Sequence, residues 1–200
     1  LPNPREWNPL DEDWKLPEKF FSCAAKCIFL PNPNAQTGTL FSEEEVRRLC
    51  EEEERIVIID EAYADFAGYT AVPLVREYPH LIVTRTLSKS YSCAGLRSGF
   101  GIASPTLIET LMKVKDSYNV NAVTQRAACA ALEDSTHMHG TVQAICHTRE
   151  WYAAALSAQG WEVVPSAANF ILARPPSSAG NAAAVHTMLR AKGYLVRYFD

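Results

Sequence analysis

The chain has 200 residues, of which 48% are hydrophobic and 21% charged, and its formal net charge is −4. This composition is typical of a globular protein with a sizeable core, and it excludes wholesale disorder. The slightly acidic balance argues against a nucleic-acid-binding protein, which usually has a basic face. No stretch approaches the roughly 20 apolar residues of a membrane-spanning helix. The length suits one full domain, or one and a half.

The cysteines and histidines indicate neither a disulfide scaffold nor a metal site. Six cysteines are scattered along the chain without a Cys-x-x-Cys pair, and His137, His139 and His147 lack a fourth ligand at a suitable spacing. We therefore expect reduced thiols and no metal. Reduced thiols are typical of a cytosolic protein, so the expected location is cytoplasmic. The N-terminus shows no charged-then-apolar signal pattern.

The sequence patterns predict alternating strands and helices after a proline-rich, irregular lead-in over residues 1–20. Ser42 and Glu45 form a capping-box pattern at the start of one helix. The β-branched run at 55–60, repeated at 81–84, is typical of parallel strands covered by helices on both faces. The predicted strands span 26–30, 55–60, 81–84, 99–103, 161–164, 169–172 and 194–198, and the later helices span 105–115, 122–133, 138–158 and 182–192.

These elements predict an α/β fold with a mostly parallel sheet and helices on both faces. The large domain would span residues 1–155, and residues 156–200 would form part of a small α+β domain. No internal repeat or low-complexity tract interrupts this order.

The strongest local signal is the turn that follows the strand at 81–84. Thr86, Ser88 and Lys89 lie in this turn, and Arg97 follows eight residues after the lysine. Ligands of open parallel sheets bind outside the carboxyl ends of the strands. An amine that can form a Schiff base, beside groups that can hold a phosphate, favours a phosphate-bearing aldehyde cofactor. Taken alone, Lys89 could also be a solvated loop lysine.

The second signal is Asp60, which ends the apolar strand at 55–60 and is followed by Tyr63. A carboxylate is costly to bury there unless a cationic group meets it, and a pyridinium nitrogen is such a partner. The ring would then act as an electron sink, and Tyr63 could bind the ring oxygen. The competing hypothesis, a metal-binding ATPase strand, requires a Gly-x-x-x-x-Gly-Lys-Ser/Thr loop that the sequence does not contain.

Several short motifs occur in a fixed order along the chain. They span residues 31–38, 60–63, 85–89, 94–97, 118–121, 168–170 and 196–200. This ordered set resembles the fold-type I pyridoxal-phosphate-dependent aminotransferases, and most closely their histidinol-phosphate branch. The resemblance implies pyridoxal 5'-phosphate as cofactor, an amino-group donor and a 2-oxo acid as substrates, and a homodimer. It implies neither a nucleic-acid partner nor a membrane partner.

The resemblance also implies roles for individual residues. Lys89 would carry the cofactor and move the substrate proton, while Asp60 and Tyr63 would pair with the ring nitrogen and the ring oxygen. The family asparagine that meets the ring oxygen falls on Ala35, so Asn34 could replace it if the loop shifts, or Tyr63 could hold the ring oxygen alone. The remaining implied residues are Thr86, Ser88 and Arg97 for the cofactor phosphate, Arg197 for the substrate phosphate, and Asn121 and Asn169 for the substrate cavity.

Alternatives stay open for some of these residues and for the reaction. Arg197 could be a surface arginine, and the asparagines could simply satisfy loop backbone groups. Transamination of histidinol phosphate with 2-oxoglutarate is the first hypothesis, and decarboxylation of a threonine-phosphate-type substrate is the second. Because members of the family are longer, a third hypothesis is a catalytically incomplete internal fragment that at most binds the cofactor.

Overall fold

The computed structural model describes residues 10–51 and 55–199 of the chain. Part of the predicted lead-in and Asp200 of the last motif lie outside the described residues. The strands are β1 (Cys27–Pro31), β2 (Ile56–Asp60), β3 (Leu81–Thr86), β4 (Gly99–Ala103), β5 (Glu162–Val163) and β6 (Ala173–Arg174). The α-helices are α1 (Glu18–Phe21), α2 (Glu43–Leu49), α3 (Pro105–Val114), α4 (Ala122–Glu133), α5 (Ser135–Ser157) and α6 (Ala182–Ala191).

The first four strands form one sheet in the order β1-β2-β3-β4. The β1–β2 and β2–β3 pairs are parallel, whereas β4 runs antiparallel at the edge. The predicted α/β class with a mostly parallel sheet is therefore confirmed. The register sets Pro31 beside Asp60 and Asp60 beside Thr84, so these residues share the carboxyl edge of the three parallel strands.

The main hydrophobic core lies on one face of this sheet. Successive strand residues point to opposite faces, so every second side chain enters this core. The strand residues in this core are Ile28, Leu30, Val57, Ile59, Leu81 and Val83, and α2 adds Val46 and Leu49. On the other face burial is less complete, since Phe29 is 62% exposed and Ile58 is half-buried.

Helix α2 begins as its capping-box pattern predicts. The Glu45 backbone N–H donates to Ser42 Oγ at 3.2 Å, and the Ser42 backbone N–H donates to Glu45 Oε2 at 2.7 Å. Two backbone donors at the helix start are thereby satisfied, and three glutamates in the first turn face the positive end of the helix dipole. Among the described residues, no helix is both long and apolar enough to span a membrane.

Two of the predicted C-terminal strands are wrong. Residues 169–172 are not a strand, because the Ser166 hydroxyl closes a tight loop there: it donates to the Phe170 carbonyl at 2.6 Å and accepts from the Ala168 N–H at 3.1 Å. The strand that pairs with β5 is β6, which lies just after this loop. Residues 194–198 also form no strand; Leu195 is 85% exposed, and no other described strand pairs with this segment.

Gly38 joins the loop after β1 to the loop at 166–170. Its carbonyl accepts a hydrogen bond from the Ala167 N–H at 2.8 Å, and its φ is +80°. A Cβ added at Gly38 would collide with Ser166 Oγ and would lie 2.7 Å from Ser166 Cβ. Only glycine therefore allows this close approach with this backbone conformation.

We predict that Gly38→Ala destabilises the chain more than Gly68→Ala. Both glycines have positive φ, but an added Cβ at Gly68 meets nothing within 4 Å. Gly68→Ala should cost about 1 to 2 kcal/mol from backbone strain alone. Gly38→Ala should cost about 1 to 3 kcal/mol more because of the collision with Ser166. Urea unfolding measures both variants, and equal losses would contradict the close contact.

Candidate active site

The carboxylate of Asp60 lies at the carboxyl edge of the sheet. Its Oδ1 accepts from the Thr84 hydroxyl at 3.3 Å and from the Ala62 N–H at 3.1 Å. The side chain is half-buried, and within the described ranges Oδ2 has no hydrogen-bond partner. One oxygen is thus fixed by the protein, while the other can bind a further donor.

Lys89 lies in the turn that follows β3, and it is flanked by buried residues. Leu87 is 1% exposed and Ser90 is 2% exposed, whereas Lys89 itself is half-buried. The Lys89 Nζ lies 5.1 Å from the centroid of the Tyr63 ring. The structure therefore brings together a lysine and a tyrosine that are 26 residues apart in the sequence, at the edge where β2 and β3 end.

Two apolar contacts hold Tyr63 in place. Its ring meets Phe170 edge-on, with centroids 5.3 Å apart and an interplanar angle of 82°. It also packs against a small cluster formed by Phe66 with Met138 and Val142 of α5. Helix α5 and the loop at 166–170 thus both support the tyrosine, which follows β2.

Thr86 and Ser88 form a hydroxyl pair at the start of the Lys89 turn. Thr86 Oγ1 and Ser88 Oγ lie 3.0 Å apart, and the Ser88 N–H donates to Thr86 Oγ1 at 3.2 Å. Arg97 is exposed and has φ +50°, and its Nη1 donates to the Ala94 carbonyl at 3.2 Å. Among the described residues, the Arg97 guanidinium makes this one side-chain hydrogen bond, so its other N–H groups and the two hydroxyls can supply donors to a phosphate.

Asn34 has a clear local role in the loop after β1. Its Oδ1 accepts from the Gln36 N–H at 3.0 Å, and from the N–H and the hydroxyl of Thr37 at 3.1 Å each. The side-chain oxygen of Asn34 therefore already accepts three hydrogen bonds within the loop. The side-chain amide nitrogen is the group that could still donate to a ligand.

The three residues predicted to bind substrate lie in different surroundings. Asn121 caps α4, and its Oδ1 accepts from the Thr124 N–H at 2.9 Å. This asparagine therefore satisfies a backbone group, as the alternative to substrate binding predicts. Asn169 is exposed beside Phe170, and Arg197 is exposed in the C-terminal segment. Within residues 10–51 and 55–199, no hydrogen bond joins any of the three to Asp60 or Lys89.

An ionic network that the sequence did not reveal lies next to this site. Arg85 donates from Nε to Glu61 Oε2 at 2.8 Å and from Nη1 to Asp65 Oδ1 at 2.7 Å. The Ser90 hydroxyl donates to the other oxygen of Asp65. Glu61 also accepts from the Thr70 hydroxyl at 2.8 Å. The sequence signal for this network is Glu61, a charged residue directly after an apolar strand. Its partners could not be identified from the neighbouring sequence, because Thr70 and Arg85 lie 9 and 24 residues away.

Burial raises the pKa of Glu61, although the Ala71 N–H, the Thr70 hydroxyl and Arg85 act in the opposite direction. The Glu61 side chain is only 1% exposed, and a carboxylate with so little access to water is less stable in its charged form. Arg85 is the cation that compensates this buried carboxylate, and it does the same for Asp65.

Comparison with known proteins places the chain in a family. The family described as aminotransferase class I and II matches residues 11–200. A curated relative, histidinol-phosphate aminotransferase of Geotalea uraniireducens, is 44% identical over 194 residues, which cover 96% of this chain and 54% of that protein. The chain therefore belongs to the class I and II aminotransferases, and it spans about half the length of the curated relatives it matches.

Solved structures agree with this assignment. The histidinol-phosphate aminotransferase from Clostridium acetobutylicum has a TM-score of 0.86 at 25% identity, over 94% of this chain and 59% of that one. The enzyme of the same name from Sinorhizobium meliloti, solved in complex with pyridoxal-5'-phosphate, has a TM-score of 0.78 at 26% identity, over 86% of this chain and 49% of that one.

We predict that Arg85→Met lowers the stability of the chain by about 3 kcal/mol, because it leaves the buried Glu61 without its cation. Arg174→Met is the matched control: its ion pair with Glu162 is exposed, so the loss should stay below about 1 kcal/mol. Urea unfolding at neutral pH measures both variants. Equal small losses would contradict the role of Arg85.

The same variant should show a specific pH dependence. A raised pKa means that folded Glu61 binds a proton at a pH where the unfolded chain does not. Its contribution to stability is therefore largest below the ordinary glutamate pKa and is lost as the pH rises through the folded pKa. Arg85→Met removes a charge that lowers the pKa of Glu61, so the stability deficit of this variant should shrink as the pH falls from neutral towards the ordinary glutamate pKa. A deficit independent of pH would contradict this assignment.

Proposed function

We propose that this chain is the cofactor-binding part of a pyridoxal-phosphate-dependent aminotransferase that acts on histidinol phosphate, with 2-oxoglutarate as amino acceptor. The observation that carries the proposal is the placement of the Lys89 amine 5.1 Å from the Tyr63 ring, at the sheet edge where Asp60 ends β2. The names of the curated relatives support the choice of substrate.

The residues present fit pyridoxal phosphate. When bound, this cofactor supplies an aldehyde that captures amines and a ring that accepts electrons from the substrate carbon. Asp60 Oδ2, which has no hydrogen-bond partner among the described residues, would meet the protonated ring nitrogen. The Tyr63 hydroxyl, with the amide nitrogen of Asn34, would donate to the ring oxygen. Thr86, Ser88 and Arg97 would bind the phosphate.

Lys89 would be the catalytic residue. Its primary amine is the group that would hold the cofactor, because an amine reacts with the aldehyde that the cofactor supplies. The Lys89 Nζ would also be the atom that moves the substrate proton: it would accept this proton from the substrate carbon as a general base and hold it for return as a general acid. The half-buried setting of Lys89 limits water at this position, and the Tyr63 ring limits the space through which the amine can move.

The remaining assignments concern the substrate and the partners. Arg197 would bind the phosphate of the amino donor, and Asn169 and Asn121 would line the substrate cavity. Asn121 would do so while capping α4. We further propose a homodimer in the cytoplasm, with a small-molecule amino donor and a 2-oxo acid as the reactants. The division into domains at residues 155 and 156 also stays a prediction.

We predict that the chain mixed with pyridoxal phosphate develops a visible absorption band that Lys89→Ala abolishes. Lys113→Ala, at an exposed position in the last turn of α3, should leave the band unchanged. Histidinol phosphate should then bleach the band. A band that resists histidinol phosphate but disappears with threonine phosphate, with release of carbon dioxide, would favour the decarboxylase instead. A band that survives Lys89→Ala would overturn the assignment of Lys89.

We predict that Arg197→Ala raises the KM for histidinol phosphate about 10- to 100-fold, the loss expected for a charged hydrogen bond. The KM for unphosphorylated histidinol should change little, because it lacks the group that Arg197 binds. Arg190→Ala, at an exposed position near the end of α6, is the matched control. Steady-state kinetics with both substrates makes the comparison, and equal effects on the two would contradict the assignment.

A further inference from the structure

We propose that Asp65 is a positioning residue, which fixes the turn carrying Lys89 through its contacts with Ser90 and Arg85. The proposal rests on the proposed function, because it concerns the residue assigned there to bind the cofactor. It adds a residue that lies outside every motif that the sequence singled out.

The two oxygens of Asp65 bind two different parts of the site. Oδ1 accepts from Arg85 Nη1 at 2.7 Å, and Oδ2 accepts from the Ser90 hydroxyl. Ser90 is 2% exposed and directly follows Lys89 in the chain. A single carboxylate therefore connects β3, which leads into the turn, with the residue just after the lysine.

The turn itself is short and closed at both ends. The Cys93 N–H donates to the Leu87 carbonyl at 2.9 Å, and the Ser92 N–H donates to the Lys89 carbonyl at 3.0 Å. Leu87 is anchored by burial on one side of Lys89, and on the other side Ser90 is anchored by its bond to Asp65. Without the second anchor, the C-terminal side of the turn would be held only by its two backbone hydrogen bonds, from Ser92 to Lys89 and from Cys93 to Leu87.

Asp65 is itself held in a defined orientation. It lies in a 3-10 helix, Ala64–Phe66, that begins directly after Tyr63, and Phe66 in this helix is packed against α5. Arg85, which binds Asp65, is fixed in turn by the buried Glu61. The network thus links the segment that carries Asp60 and Tyr63 to the turn that carries Lys89.

The gain from such a network is in geometry more than in stability. Buried ion pairs contribute little net stability compared with apolar packing, because desolvation offsets their attraction. Catalytic groups, by contrast, must be held closely in their productive arrangement by the hydrogen bonds of their neighbours. Lys89 has a long, flexible side chain, so a fixed backbone is the means by which the protein can restrict the reach of its amine.

The test uses the complete chain with Asp65→Ala, Ser90→Ala and, as matched control, Glu162→Gln, which removes a carboxylate from an exposed ion pair with Arg174. Hydrogen–deuterium exchange is measured for peptides from the Lys89 turn and from β1 to β3. In a separate assay, pyridoxal phosphate is added and trapped on Lys89 with borohydride, and the rate of trapping is measured by mass spectrometry.

Loss of a charge-assisted hydrogen bond should speed exchange in the Lys89 turn about tenfold in both alanine variants and slow trapping at Lys89 by a similar factor. Exchange in β1 to β3 should match that of Glu162→Gln. Asp65→Asn should keep both exchange and trapping close to the values of the unaltered chain. Its amide oxygen can still accept from Arg85, and the Ser90 hydroxyl can turn to accept from the amide nitrogen.

Each contrary result has a distinct meaning. Exchange that rises equally in the turn and in the strands would show a merely structural role and overturn the proposal, as would unchanged exchange in the turn. If Asp65→Ala fails to fold, Ser90→Ala carries the same comparison. Selective exchange in the turn without trapping in the unaltered chain would support the fixing of the turn by Asp65 while contradicting the proposed function.

Discussion

The parallel register between β2 and β3 is the constraint on which the rest of the structure depends. It sets Asp60 beside Thr84, and their side chains are hydrogen-bonded at 3.3 Å. Because parallel strands end at one edge of a sheet, whatever follows each strand must meet there. Tyr63 follows β2 and Lys89 follows β3, so one pairing register assembles residues from two distant segments.

Neighbouring carboxylates at this edge have opposite surroundings. Asp60 ends β2, and its Oδ2 has no hydrogen-bond partner in the part of the chain that the structure describes, whereas Glu61 is buried and bound by Arg85, Thr70 and Ala71. The alternation of side chains along an extended chain accounts for this difference, because consecutive residues point to opposite sides. One carboxylate is thereby directed to the proposed cofactor site, while the other supports the turn through Arg85 and Asp65.

Much of the fold could be predicted from local patterns, since the strands of the main sheet, the capping box of α2 and the later helices follow from hydrophobic periodicity and end signals. The strand predicted at 194–198 was wrong, because a strand requires a partner strand and the apolar pattern of a segment does not show whether one is present. The roles of Lys89 and Asp60 were proposed from strand ends. Asp65 was missed because its partners lie 20 and 25 residues away, and only the folded chain brings them together.

The central claim is that this sheet edge directs pyridoxal phosphate to a single lysine. The chain contains seven lysines, so chemical preference alone would spread the modification among the exposed ones. The direct measurement is borohydride reduction of the chain with equimolar pyridoxal phosphate, followed by proteolysis and peptide mass mapping. The account predicts that the cofactor mass is found on the peptide containing Lys89. Modification spread over the other lysines, with Lys89 unlabelled, would contradict it.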